Sequence, residues 1–451
     1  MRSTLHAQIP IVQPYIDHCH AHELQAISEI LECIPGLLDG VLADLLHGKI
    51  HPRNGREGMT AEQVLRALVL KQMNGFSYEE LAFHLADSCS YRAFCRIGLG
   101  SKAPSKATLQ RNIKRLSPET LEKINRAVIS HASREGIERG RKVRVDCTVM
   151  ESNIHEPSDS SLLWDSVRVL TRLMLRGRQW VATPMADHRR RAKRRAIGIL
   201  NAKTKKQRAG RYRDLLKVTQ KTISAAEQMV TDLEQFQGAD FMAVLLARDV
   251  ALELKYYLLF AEQVVTQTRR RVIDGEKVPA AEKIVSIFEP HTDLIIKDRR
   301  DTYFGHKLTL SSGASGLILD CVVEEGNPAD ATLALRMVER QADLYGRLPR
   351  QVAFDGGFAS GKNLKDIKHL GVQDVAFSKR RGLKVTEMVK STWVYRRLRN
   401  FRAGIEGIIS FLKRGFGMSR CTWRSHDSFK AYAWGSILSA NLLLLARHQL
   451  A

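Results

Sequence analysis

The chain reads as an α+β multidomain protein: an all-helical N-terminal region, then an α/β/α core that a large helical insertion interrupts after its first strand. Three observations carry this reading. Capped amphipathic helices fill residues 20 to 140 with no alternating run among them. Short β-branched, alternating segments begin only at residue 141 and then recur between helices. A helical stretch from about residue 160 to 275 separates the first strand from the others. At 451 residues the chain exceeds one compact core and predicts two or three domains. The boundaries expected are a helical domain over 1–140, the first core strand within 141–159, the insertion over 160–280, and the remaining core with C-terminal helices over 281–451.

In the N-terminal region, Thr60-Ala-Glu-Gln63 and Ser77-Tyr-Glu-Glu80 form capping boxes that open two apolar-periodic stretches. The first runs through Val64, Leu65, Leu68, Val69 and Leu70 and stops near Gly75; the second passes through Leu81 and Leu85. Pro104-Ser105 opens a basic helix, and Ser117-Pro118 opens a longer one closing at Gly136. Two short helices, a tight turn and a following basic helix fit a helix-turn-helix, with Arg111, Lys114 and Arg115 facing DNA. An ordinary helical bundle with solvated charges fits the same pattern.

A strand from residue 141 carries Asp146, and strands are predicted at Ile284–Ile287, Tyr303–Leu310 and Leu317–Val323. Within the insertion, Ile223, Ala226, Val230 and Leu233 at 3–4 spacing and a stretch from Phe241 to Arg270 suggest a helical hairpin. Residues 188–213 hold twelve cations (Arg189, Arg190, Arg191, Lys193, Arg194, Arg195, Lys203, Lys205, Lys206, Arg208, Arg211, Arg213) and no acid. Such a run repels itself, so it is expected as a disordered loop or a helix ordered on DNA, neutralising phosphates. A helix (Asp330–Tyr345), a strand ending at Asp355, a helix (362–370) and a strand (374–377) then precede an amphipathic helix around Glu406. Gly356 and Gly357 leave room for a sharp turn beside Asp355.

Asp146, Asp355 and Glu406 thus come from three separate elements. Carboxylates delivered to one point from separate elements suit two Mg²⁺ ions held by shared oxygens, which is the chemistry of phosphodiester cleavage. On a helix, Arg399, Arg402, Glu406 and Lys413 fall at about +20°, −40°, 0° and −20°, on one face. Ile405, Ile408, Ile409 and Leu412 fall on a neighbouring, inward face. The three cations could hold DNA phosphates; a solvated face with i,i+4 support reads equally from the spacing.

Arg402-x3-Glu406-x6-Lys413 resembles the signature around the third acid of bacterial insertion-sequence DDE transposases, Tyr-x2-Arg-x3-Glu-x6-Lys, with Arg399 in place of the tyrosine. VRVDCTVMESNIHEPSDSSLL and VAFDGGFAS resemble the segments carrying the first two acids, and DTYFGHKLTL and EEGNPADA the strands and turn between them. The likeness, to the ISNCY-like group, spans roughly residues 45 to 445. It implies an RNase H-like core, which the element order also fits, and a Mg²⁺-dependent transposase in which Mn²⁺ can substitute. Asp146 and Asp355 would share one ion and Glu406 would complete the second. The partners implied are the element's terminal inverted repeats and target DNA, with a homodimer or larger assembly on DNA in a bacterial cytoplasm. His306-Lys307 matches the family's basic pair, placing Lys307 near DNA. An RNase H-fold nuclease or resolvase, or a catalytically silent DNA-binding regulator, remains open beside it.

The formal charge of +23 points to a polyanionic partner. Ala431 to Ala446, the longest uncharged stretch, is too short for a bilayer and carries Ser436, Ser439 and Asn441, so a buried helix and no membrane are expected. No Gly-x4-Gly-Lys-[Ser/Thr] loop is present, so no ATP is expected. Seven scattered cysteines without a CxxC pair fit a reducing compartment, and His18, Cys19, His20 and His22 lack a second zinc-ligand group. Of the other acids, Glu324 and Glu325 are expected exposed at a strand end, Asp159 as a helix cap, and Asp320 as no ligand; His306 is expected to be structural.

Overall fold

The computed structural model describes residues 2–5, 16–46, 58–98, 100–238, 240–297 and 301–451. The chain divides into two compact units, residues 1–151 with 306–451, and residues 152–305.

The first unit opens with seven helices: α1 (Cys19–Glu32), α2 (Asp39–Leu46), α3 (Ala61–Asn74), α4 (Tyr78–Asp87), α5 (Cys89–Phe94), α6 (Lys106–Ile113) and α7 (Pro118–Arg134). Both capping boxes form, Thr60 with Gln63 and Ser77 with Glu80. Gly75 ends α3 in the left-handed region at φ 65°, where a side chain is disfavoured, and this sets the tight turn into α4. The short helix α5 was not anticipated; Ser88 caps it. α6 lies against both α3 and α4. The side chain of Arg66 is 1% exposed and satisfied on all sides: Nε donates to Glu62 at 2.9 Å, Nη2 to Glu32 at 3.1 Å and Nη1 to the Phe94 carbonyl at 3.2 Å. Burial of a cation is tolerated only with such pairing.

β1 (Lys142–Glu151) follows α7 and leads into the second unit, where α8 (Asp159–Gly177), α9 (Arg189–Leu200), α10 (Lys205–Gln235) and α11 (Phe241–Thr268) pack as a bundle. β2 (Asp293–Lys297) pairs antiparallel with the start of β3 (Asp301–Ser312), which runs on into the first unit. The strand expected at Ile284–Ile287 is absent. Ile284 and Ile287 fill the bundle core, and the Ile284 N–H bonds the Gln267 side chain instead of a neighbouring strand. Asp159 also differs from expectation. Ser158 is the cap, whereas Asp159 is buried, with Arg271 Nη1 2.9 Å from each of its oxygens and Gln267 at 3.3 Å.

The basic run is helical, in α9 and the first turns of α10, with Thr204 capping the second. Its repulsion is relieved by acids just outside it. Arg189 pairs with Asp187, and Arg191 and Arg195 both grip Asp214.

Back in the first unit come β4 (Ile318–Val323), α12 (Ala334–Tyr345), β5 (Gln351–Phe354), α13 (Gly361–Leu370), β6 (Asp374–Phe377), α14 (Val385–Met388), α15 (Thr392–Gly415) and α16 (His426–Leu450). The strand order there is β4-β3-β1-β5-β6, with β4 antiparallel to β3 and β1, β5 and β6 parallel. α16 is long and apolar enough to cross a membrane, but 89% of its most apolar window is buried, against α1, α3 and α7. Asn441 explains its polar content: Nδ2 donates to Asn125 and to the Ile318 carbonyl, both at 2.8 Å, and Oδ1 accepts from the Ile318 N–H at 2.9 Å. One continuous apolar core joins the N-terminal helices to the sheet.

Candidate active site

The parallel register of β1 and β5 ends at Val145 opposite Phe354. Asp146 and Asp355 are the next residue on each strand, so the pairing itself sets two carboxylates side by side. This is the C-terminal edge of parallel strands, where open α/β sheets place their ligands. α15 packs across β1, β5 and β6 and brings Glu406. Its seating is specific. Arg144 Nη1 donates to the Phe401 carbonyl at 2.8 Å, Arg144 and Lys142 stack on the Phe401 ring, and Tyr395 donates to the Phe377 carbonyl at 2.9 Å.

One side chain joins the three acids. Arg402 Nη2 lies 2.8 Å from Asp146 Oδ2 and 3.1 Å from Asp355 Oδ1, and Nη1 lies 2.8 Å from Glu406 Oε1. Two of the acids therefore share a single guanidinium nitrogen. Exposure rises outward across the group: Asp146 and Arg402 are 13% exposed, Asp355 37% and Glu406 67%. Arg402 Nε is buried without a hydrogen-bond partner, so the side chain is held through its two terminal nitrogens. The i,i+4 pair with Glu406 is the bland helical-face expectation, and it coexists with the two long-range contacts.

Asp146 Oδ1 accepts from the Cys147 N–H at 2.7 Å, and Asp355 Oδ1 from the Ser378 hydroxyl at 2.8 Å. Burial opposes charge on Asp355, but the Ser378 hydroxyl, the Gly356 N–H, the Arg402 guanidinium and the Gly357 N–H outweigh it and hold its carboxyl below the ordinary value. The stability this contributes is complete above that ordinary value and is lost as pH falls through the lowered one. Burial pushes the neighbouring Cys147 thiol up, with Asp330 adding to the effect, so it stays protonated.

A second tier supports the Asp355 turn. Asn363 donates to the carbonyls of Ala331 at 2.7 Å and Phe358 at 2.8 Å, tying the turn at Asp330–Thr332 to that at Gly356–Phe358. A Cβ on Gly357 would overlap the Asp330 carboxylate, which Lys307 holds as an ion pair. Gly357→Ala is therefore expected to destabilise the fold by ~1–3 kcal/mol of overpacking strain at unchanged secondary structure. Urea unfolding beside circular dichroism checks this, and an unchanged midpoint would show that the turn tolerates the methyl group.

Arg399 is exposed on α15, and Lys413 is half-buried near its end. Arg402 turns onto the acids, and Lys307 is buried, donating to the Pro328 carbonyl at 2.7 Å and pairing with Asp330. Lys307 therefore stands as a support inside the fold, not at the surface where a DNA contact was expected. Arg111 is exposed on α6, Lys114 is half-buried at its end, and Arg115 donates to the Leu45 carbonyl at 3.2 Å. Arg190 and Arg194 are exposed on α9. Glu324 corrects the sequence reading: it is buried, accepts from Thr309 at 2.6 Å and pairs with Arg336, while Glu325 is exposed. Asp320 is taken by Arg340, and His306 stacks on His426 and meets Phe429 edge-on. Ser378 and Asn363 escaped the sequence reading, having no motif, and Asp330 was read only as part of a turn and a helix start; only their positions after strands and turns could have flagged them.

Hard carboxylate oxygens, here from three elements and already sharing one cation, are the ligand type that Mg²⁺ takes. No three His, Cys, Asp or Glu side chains among the described residues stand close enough to enclose a single ion, so the acids meet through the guanidinium.

Comparison with protein families gives two matches. A model described as a Transposase DDE domain covers residues 265–442, and one described as a Transposase domain (DUF772) covers residues 16–115. The first includes Asp355 and Glu406; Asp146 lies outside both. No curated protein and no solved structure matches the chain. The two matches support a DDE transposase of an insertion sequence, a nucleic-acid-processing enzyme that binds DNA.

Proposed function

We propose that this chain is a DDE transposase of the ISNCY-like group, with an RNase H-like core, that cleaves DNA at the ends of its element and joins the freed 3′-hydroxyl to target DNA. The observation that carries the reading is the single Arg402 guanidinium in contact with Asp146, Asp355 and Glu406. The strand order β4-β3-β1-β5-β6, with parallel β1, β5 and β6, supports the fold assignment.

Asp146, Asp355 and Glu406 would hold two Mg²⁺ ions, or Mn²⁺, which supply Lewis-acid activation of the attacking hydroxyl and stabilise the leaving oxygen. The protein's part is placement. Ser378 and the Gly356 and Gly357 amides keep Asp355 ionised and aimed. Arg402 offsets the mutual repulsion of the acids until they take up their ions. Arg399 and Lys413, on the same helix face, are positioned to hold phosphates flanking the scissile bond. The N-terminal helices, with Arg111 and Lys114, serve end recognition, and two element ends require at least a dimer on DNA.

The test is purified protein with duplexes carrying its own element's ends, in Mg²⁺ or in chelator, together with pre-cut ends and a supercoiled target. Metal-dependent cleavage and joining are expected. Cleavage without joining of pre-cut ends selects the nuclease or resolvase reading. DNA binding with no metal-dependent cleavage of any end selects the silent regulator.

A further inference from the structure

Three consecutive arginines at the end of α11 meet three different fates. Arg270 is bound to Glu276 and Glu282, and Arg271 reaches inward to the buried Asp159. Arg269 has no carboxylate partner among the described residues; Nη2 lies 3.5 Å from Gln220 Oε1, on the outer face of α10. The backbone separates these fates by forming a π-helix over Arg269–Ile273, a rare element found mostly where a helix serves a function. Arg269 thereby lines an open groove of about 480 Å³ with Arg213, Lys217 and Lys221 of α10, above a floor of Leu216 and Ile273.

We propose that this groove is a phosphate-backbone site for duplex DNA, distinct from the carboxylate site of the first unit. Four exposed cations surround it, and none has an ion-pair partner among the described residues. One acid, Asp274, lines it. Elsewhere in the same unit, Arg189, Arg191 and Arg195 are engaged by Asp187 and Asp214. Arg190 and Arg194 of α9 also stand exposed without an ion-pair partner among the described residues; the groove differs in gathering four such cations around one concavity. Arg213, Lys217 and Lys221 follow each other at i, i+4 and i+8, so they stand on one face along about 12 Å of helix, the reach of roughly three to four phosphates of one strand. A linear array of that length suits a run of phosphates better than one isolated anion. No base-reading geometry is implied, so the site contributes affinity independent of sequence.

The inference rests on the transposase reading only for DNA as the polyanion, and its test reads binding rather than cleavage, so the two can fail separately. In the full chain, Arg213→Gln, Lys217→Gln, Lys221→Gln and Arg269→Gln together are expected to flatten the log K against log[salt] slope by about three to four, equally on end and random duplexes. The matching α9 variant, Arg189→Gln with Arg191→Gln and Arg195→Gln, is expected to change the slope by less than about one. An unchanged slope in the groove variant, or a larger effect from the α9 variant, overturns the site. A reading free of substitution uses the unaltered chain: duplex DNA is expected to shield Lys217 and Lys221 from acylation, and inorganic phosphate is not. Equal shielding by inorganic phosphate would mark a small-anion site and overturn the proposal, as would no shielding by DNA.

Discussion

Asp355→Asn is expected to lower metal-dependent cleavage of end DNA by about 10³-fold or more, with DNA affinity changed by no more than about twofold. The substitution keeps size and shape. An asparagine Oδ1 still accepts from Ser378, and the turn at Gly356 and Gly357 is untouched. What is lost is one negative charge where β5 ends beside β1. A carboxylate ligand contributes several kcal/mol of transition-state stabilisation through the ion it holds, and each 1.36 kcal/mol is tenfold in rate. DNA affinity should barely respond, because the cations proposed to meet phosphates lie elsewhere on α15, in the N-terminal helices and in the second unit. Single-turnover cleavage beside a filter-binding titration separates the two quantities. A variant that keeps more than about a tenth of the wild-type rate would remove Asp355 from the metal site.

The local half of this site was legible in the sequence because its determinants are local. Capping boxes at Thr60 and Ser77, the αL stop at Gly75 and the strand that ends at Asp355 each need only a few neighbouring residues. The helical face that carries Arg402 and Glu406 follows from 3.6 residues per turn, and the pair forms. The convergence of the three acids was read from their delivery by three separate elements and from a resemblance. Its physical cause, the parallel register that makes Asp146 and Asp355 the next residues after Val145 and Phe354, is a pairing across more than two hundred positions, and no window of sequence shows it. The failures have the same origin. Ile284–Ile287 has the residue types of a strand, but the bundle offers those side chains a core and Gln267 bonds the backbone. Glu324 looked like a strand-end acid on the surface, yet Thr309 and Arg336 satisfy it inside. The basic run looked unpaired because its counter-charges, Asp187 and Asp214, lie one residue beyond either end of the segment, and only the fold of α9 against α10 brings Asp214 to Arg191 and Arg195.

Arg402→Ala is expected to move metal affinity and cleavage in opposite directions. In the wild-type chain the guanidinium occupies one oxygen of each of Asp146, Asp355 and Glu406. Any divalent cation must compete with it. Its removal has two consequences for such an ion. The carboxylates lose a positional constraint, which costs about 0.5–1.5 kcal/mol for each side chain that must then be ordered. Against this, a unit positive charge disappears from within a few ångströms of the ion. A unit pair at 4 Å is worth about 4 kcal/mol at an effective dielectric of 20, and a divalent ion doubles it. Exposure of Glu406 screens part of that, but the electrostatic gain remains the larger quantity. Mn²⁺ is therefore expected to bind about tenfold more tightly, which titration calorimetry or loss of the free-ion electron-spin signal measures directly. Cleavage at saturating metal is expected to fall by about tenfold to a hundredfold if Arg402, displaced from the acids by the ions, turns to a DNA phosphate, since a charge-assisted contact worth ~1.5–3 kcal/mol would then go with the side chain. Arg402→Lys, which keeps the charge and loses the fork, should lie between the two in metal affinity. Weaker or unchanged Mn²⁺ binding in a folded Arg402→Ala variant would mean that the guanidinium organises the acids more than it competes for them.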